Sequence, residues 1–250
     1  MGNIQSWDSR RDWVVPGNEA ETIRFAALHW LHTAKRAIQR KGRFAVALSG
    51  GSTPKAIFQL LSQKTELLDP DAIDWSKVWL FWSDERAVPP AHPDSNYRMA
   101  MESGFQKLPI PPGQIFRMHA ESQIEKHALD YEETLHRVLG KSLFDLVMLG
   151  LGEDGHTASL FPQTESLKAS DRLVAANYIP QKNTWRMTLT FLCIDKSENA
   201  ALYALGKSKQ AIVPKVLEAA IESPYPASRI GNPERKALWI LDEDSAKFLL

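Results

Sequence analysis

The residue best suited to move a proton at neutral pH is His156, in the stretch Gly150-Leu151-Gly152-Glu153-Asp154-Gly155-His156-Thr157. An imidazole with an ordinary pKa of about 6.5 exchanges protons near neutrality, and Asp154, two positions earlier, is placed to select its tautomer. On spacing alone the stretch also matches Gly-x-Gly-x-x-Gly, a dinucleotide fingerprint that needs a helix, a second strand and an acidic residue about 20 positions on. Here Asp171 follows Gly155 by only 16 positions and Pro162 interrupts the interval. Asp154 and His156 also crowd the turn a pyrophosphate would occupy. Nicotinamide and flavin binding are therefore not expected. A buried histidine with a purely structural role is the alternative for His156.

Two other loops have the composition to hold an anion. Ser49-Gly50-Gly51-Ser52-Thr53-Pro54-Lys55 has glycines that let the backbone approach a ligand, a Ser or Thr to cap a helix, and Pro54 for its first turn. Unpaired N–H groups and the helix dipole at such an end favour a phosphate. The Gly-x-x-x-x-Gly-Lys-Ser/Thr spacing of the nucleotide P-loop is missing, and an ordinary capped turn is the competing reading. In Ser83-Asp84-Glu85-Arg86, Asp84 suits a sugar hydroxyl or a cation and Arg86 a bidentate phosphate contact, with a surface ion pair as the alternative. Arg186, at the start of an apolar run, and Gly206-Lys207-Ser208-Lys209 add positive charge. No Gly-x-Ser-x-Gly elbow supports an acyl-serine mechanism.

These loops need a scaffold, and the hydrophobic pattern supplies one. Ile23, Ala27, Trp30, Leu31, Ala34 and Ile38 recur at helical spacing within Glu19 to Arg40, which predicts an amphipathic helix. His29 and His32 fall on its polar side and read as solvated. Strands are expected at Phe44 to Leu48, Val78 to Trp82 and Phe144 to Gly150, with helices at Pro54 to Leu68, Asn96 to Phe105 and Glu121 to Leu139. In the second half, strands are expected at Arg172 to Tyr178, Met187 to Leu192, Ala200 to Ala204 and Ala237 to Leu241. Helices are expected there at Ser208 to Ile221 and Asp244 to Leu249. Short uninterrupted apolar runs suit parallel strands covered on both faces. The expectation is α/β: one Rossmann-like domain over residues 1–250, with a mostly parallel sheet and helices on both faces. The three loops follow strands, where ligands gather in such sheets.

Composition removes several classes of function. The 250 residues are 44% apolar and 24% charged, enough for a sizeable core. Lysine plus arginine and aspartate plus glutamate each number 30, so no global field draws the chain to nucleic acid or an anionic membrane. An anion must be caught locally. Cys193 is the only cysteine, which excludes an internal disulfide and a thiolate metal cluster and suits a reducing cytoplasm. No apolar run approaches the roughly 18 residues of a membrane span. Gly2 and Ser6 match the short N-myristoylation pattern, which often arises by chance.

In chain order, the three loops, Ser95-Asn96, the string His156-Thr157-Ala158-Ser159-Leu160-Phe161-Pro162 and Arg186-Met187-Thr188-Leu189-Thr190 together resemble the 6-phosphogluconolactonase family, over residues 20 to 247. The resemblance implies hydrolysis of 6-phosphoglucono-1,5-lactone to 6-phosphogluconate, in the oxidative pentose phosphate pathway. It implies an α/β fold shared with glucosamine-6-phosphate deaminases, which carry a glutamate five residues after the histidine, where this chain has Phe161. His156 would be the base and then the acid, oriented by Asp154. Arg186 or a backbone amide would meet the oxyanion. Gly50, Gly51, Ser52, Thr53, Arg86 and Lys209 would hold the phosphate, with Asp84 and Asn96 also on the substrate. No metal and no cofactor is required. The expected partner is a small phosphorylated sugar lactone, bound by a cytoplasmic monomer. Another sugar-phosphate enzyme, such as a glucosamine-6-phosphate deaminase, is the competing activity. A sugar-phosphate sensor without catalysis is the competing class, and the chain before the first helix is too short for its DNA-binding unit. Residues up to Pro16 have no counterpart in the resemblance, and they form either a loose lead or an added strand.

Overall fold

The computed structural model describes residues 2–63, 72–140 and 143–249. Among them the main sheet has seven strands: β1 (Gln5–Ser6), β2 (Arg11–Val14), β3 (Phe44–Leu48), β4 (Val78–Trp82), β6 (Leu146–Gly150), β9 (Ala200–Ala204) and β10 (Ala237–Leu241). Their order is β1-β2-β10-β9-β6-β3-β4, and every pairing is parallel except β1 with β2. All five residues of β3 are buried, which requires cover on both faces. Helix α1 (Glu19–Lys41) supplies part of it through Ala27, Trp30 and Ala34. A capping box fixes its start: Glu21 N–H donates to Asn18 Oδ1 (3.1 Å) and Asn18 N–H to Glu21 Oε2 (3.0 Å). Gly42 in the left-handed region ends it.

The strand order sets where a ligand can sit. β4 lies on one side of β3 and β6 on the other, so the connections after β3 and β6 diverge and a crevice opens beyond their carboxyl ends. At Ser83 the chain leaves the main sheet. Its N–H still donates to Leu48 O (2.8 Å), while its carbonyl accepts from Leu189 N–H (2.8 Å). There begins a second, antiparallel sheet: β5 (Asp84–Arg86), β7 (Val174–Ile179) and β8 (Thr184–Leu189), in the order β5-β8-β7. The hydrophobic pattern does not separate β7 and β8 from the parallel set, and the stretch Asp84–Arg86, expected as a loop, is a strand because it pairs with β8. The register puts Arg86 opposite Arg186 and Asp84 opposite Thr188.

The N-terminal segment is not a loose lead but carries β1 and β2. β2 pairs with β10, and the buried Arg11 is held by Asp8 (Nη2 to Oδ2, 2.6 Å). Arg11 also donates to the carbonyls of Val216 (3.1 Å) and Leu217 (2.8 Å) at the end of α6 (Ile212–Leu217), where the last carbonyls lack partners.

Several boundaries differ from expectation for local reasons. Helix α2 (Ser52–Leu61) stops before Leu68, and residues 64–68 of the expected span lie outside the described residues. Helix α3 is Asn96–Glu102 and α4 is Ile124–Leu139. Leu192 is not in a strand, because Thr190 Oγ1 accepts from Cys193 N–H (3.3 Å) and caps α5 (Phe191–Asp195). The helix expected over Ser208 to Ile221 contracts to a 3-10 turn at Lys207–Lys209 and α6, which carries Pro214. Asp244 to Leu249 form turns rather than a helix. No helix among the described residues is long and apolar enough to cross a membrane.

His29 is half-buried rather than fully solvated as its place on the polar side of the helix suggests. Burial holds its imidazole down at about 4, with the charges of His32 and Arg36 acting in the same direction, and Nδ1 has no partner. The unfolded chain, titrating near about 6.5, therefore takes up this proton first as pH falls. The stability tied to neutral His29 is full above about pH 6.5 and is lost between there and about 4. His29→Leu should flatten the decline of Tm across that window. An unchanged decline, followed by calorimetry, would assign the acid sensitivity to other groups.

Candidate active site

Beyond the ends of β3, β6 and β9 lies a cleft of about 240 Å³, at the small end for ligand sites. His156 forms part of its wall. The imidazole Nδ1 is 2.5 Å from Asp154 Oδ1, and the same oxygen accepts from the His156 backbone N–H at 3.1 Å. A doubly engaged carboxylate on Nδ1 favours the tautomer with its proton there and leaves Nε2 as the acceptor. Partial burial pushes the Asp154 carboxyl up, but the hydrogen bond from the His156 ring, its charge and the His156 N–H outweigh that, so the carboxyl lies below its ordinary value. Gly152 is needed beside this ring, because a Cβ there would occupy the space of the imidazole. The other side of the imidazole lies flat on Phe161, with ring centroids 3.8 Å apart and an angle of 17°.

The cleft is rich in positive charge. Arg86, Lys182, Arg186 and Lys209 line it, against Asp84 as the carboxylate. Arg86 Nη1 donates to Asp94 O (2.7 Å), but the Nε atoms of Arg86 and Arg186 are buried without partners. Burial lowers the Arg186 pKa and the neighbouring Arg86 charge lowers it further, while Asp84, Glu85 and Asp94 oppose this. Arg86 and Arg186 face each other in register across β5 and β8 and their like charges repel, an arrangement suited to an anion. Asp84 is fixed rather than free, accepting from Asn96 Nδ2 (3.0 Å) and Ser159 Oγ (2.6 Å). Glu85 accepts from Ser95 Oγ and from the N–H groups of Asn96, Tyr97 and Arg86, between 2.8 and 3.0 Å, which anchors the start of α3 beneath the site. Burial nevertheless raises its pKa, against those N–H groups.

The residues from 17 to 239 match the family described as glucosamine-6-phosphate isomerases/6-phosphogluconolactonase. The chain belongs to this family. A Chlamydia pneumoniae 6-phosphogluconolactonase is 41% identical over 248 residues, covering 98% of this chain and 93% of that one. The 6-phosphogluconolactonase of Chlamydia trachomatis serovar D is 37% identical over 247 residues, covering 99% and 94%. The structure of 6-phosphogluconolactonase from Trypanosoma cruzi is similar with a TM-score of 0.83 at 26% identity, over 99% of both chains. Strands β1 and β2 lie before the residues that match the family as a whole.

Within this family member the cleft brings together Gly50, Gly51, Asp84, Arg86, His156, Arg186 and Lys209. Asp154 stands behind His156, and Asn96 behind Asp84. Ser52 and Thr53 open α2 and do not line the cleft. Neither side chain caps that helix. Gly51, with φ of 106°, is the N-cap and makes no side-chain bond there. Of the two lysines after β9, Lys209 lines the cleft and Lys207 does not. Lys182 and Ser159 were missed by sequence reasoning. Ser159 lies inside the quoted string, whereas Lys182 arrives from the β7–β8 turn, and its sequence neighbours give no signal of that. Among the described residues no group of three or more His, Cys, Asp or Glu side chains is placed to hold a metal ion.

Proposed function

We propose that this cleft hydrolyses 6-phosphoglucono-1,5-lactone to 6-phosphogluconate. The observation that carries the reading is an imidazole oriented by a carboxylate on Nδ1, in the same small cleft as four cations with little to neutralise them. The phosphate takes Arg86, Arg186 and Lys209, with the glycine turn at Gly50 and Gly51 beside it. Arg186 is assigned to the phosphate rather than the oxyanion because it faces Arg86 in register. Asp84, its carboxylate oriented by Asn96 and Ser159, accepts from a sugar hydroxyl. Binding energy at the phosphate end is remote from the reacting carbon and holds C1 near His156.

His156 Nε2 takes a proton from a water as its oxygen attacks C1. The carbonyl becomes a tetrahedral oxyanion, which the positive field of the cleft stabilises. On collapse the bond from C1 to the ring oxygen breaks, and the imidazolium returns its proton to that oxygen. One histidine serves both half-steps, and Asp154 stabilises the imidazolium between them. The protein acts on a free small molecule, as a cytoplasmic monomer and without nucleic acid.

The test generates the lactone freshly and follows proton release, with spontaneous hydrolysis subtracted. A rate proportional to protein concentration is expected, with no ammonia from glucosamine 6-phosphate. Ammonia release without lactone hydrolysis would move the protein to the deaminase side of its family.

A further inference from the structure

We propose that Phe161 is a positioning residue that holds the His156 imidazole in its working orientation; this rests on the reading of His156 as the base. The two rings lie nearly parallel at 3.8 Å, closer than the roughly 4.5–7 Å usual for aromatic pairs. The hydrogen bond from Nδ1 to Asp154 fixes one edge of the imidazole, but a ring held at one edge can still swing about that bond. A flat wall against its face removes that freedom.

Phe161 is itself a fixed wall. It is 3% exposed, and its carbonyl accepts from Thr164 Oγ1 (2.8 Å). Asn177 on β7 donates to that same Thr164 Oγ1 (3.0 Å) and to Ser159 O (2.8 Å), so residues on both sides of Phe161 are pinned to the second sheet. Lys182, from the turn after β7, places its Nζ 5.4 Å from the Phe161 ring centre. The sheet that presents Arg186 to the cleft therefore also braces the wall behind His156, and the base and the anion site share one support.

The stack predicts a signal in the unmodified protein. A ring proton of His156, assigned by its loss in His156→Ala, should resonate upfield of an ordinary histidine through the Phe161 ring current. Phe161→Leu and Phe161→Met should return it to the ordinary position and lower kcat about 10-fold, with KM within about 2-fold. Phe161→Tyr, which keeps the ring, should retain the shift and most of kcat. Either non-aromatic variant suffices if the other fails to fold. An ordinary His156 resonance in the wild type, unchanged kcat in a folded non-aromatic variant, or a loss carried by KM would each overturn the proposal. Failure of His156 as the base is distinguishable, because His156→Ala would then keep the enzyme-dependent rate while the upfield resonance stayed in the wild type.

Discussion

His156→Ala should lower the enzyme-dependent rate of lactone hydrolysis by about 10²- to 10⁴-fold, the usual worth of a positioned general base. Nearly all of the loss should fall on kcat. The groups assigned to the phosphate, Arg86, Arg186 and Lys209, lie on other elements from His156 and keep their places when it is shortened. Binding of 6-phosphogluconate, measured by calorimetry, should therefore stay within a few-fold of wild type. Asp154→Asn should lose less than His156→Ala, because an amide can still bond Nδ1 but no longer offers a negative charge to the imidazolium. A His156→Ala protein that hydrolyses the lactone at the wild-type rate would remove the imidazole from the mechanism. One that no longer binds 6-phosphogluconate would show that the ring holds substrate.

Much of this site was readable because each of its main loops follows an uninterrupted apolar strand. Phe44 to Leu48 and Val78 to Trp82 have the pattern of strands covered on both sides, and the structure places β3 and β4 on those residues. Asp154 and His156 are two apart, so their contact is local and spacing alone suggests it. Asp84-Glu85-Arg86 is different. Three consecutive charged residues carry no alternation of apolar and polar, and they form a strand only because Ser83 turns the chain onto β8, about 100 positions away. The pairing of Arg86 with Arg186 is a matter of register, and no single-sequence pattern encodes it. His29 shows the same limit. Its place on the polar side of α1 predicted solvent, but the groove it lines also takes Asp145, Asn199 and Arg235 from distant parts of the chain. Local periodicity gives the face of a helix, while burial depends on what arrives against it.

Arg186→Met should move substrate affinity and stability in opposite directions. A charge-assisted contact to a phosphate is worth about 1.5–3 kcal/mol, so losing it should raise KM about 10- to 150-fold with kcat little changed. This guanidinium is, however, partly buried, its Nε has no partner, and it faces another cation. Methionine keeps much of the aliphatic stem in place and removes both the desolvated charge and the repulsion from Arg86. The variant should accordingly melt at or above the wild-type Tm without ligand. Arg86→Met should raise KM similarly but gain less stability, because it also gives up the bond to Asp94 O. Added inorganic phosphate should stabilise wild type more than either variant, since only wild type has both guanidiniums to bind it. If Arg186→Met instead lowered kcat at unchanged KM, the arginine would belong at the lactone carbonyl, meeting the oxyanion, and Arg86 with Lys209 would be left to hold the phosphate.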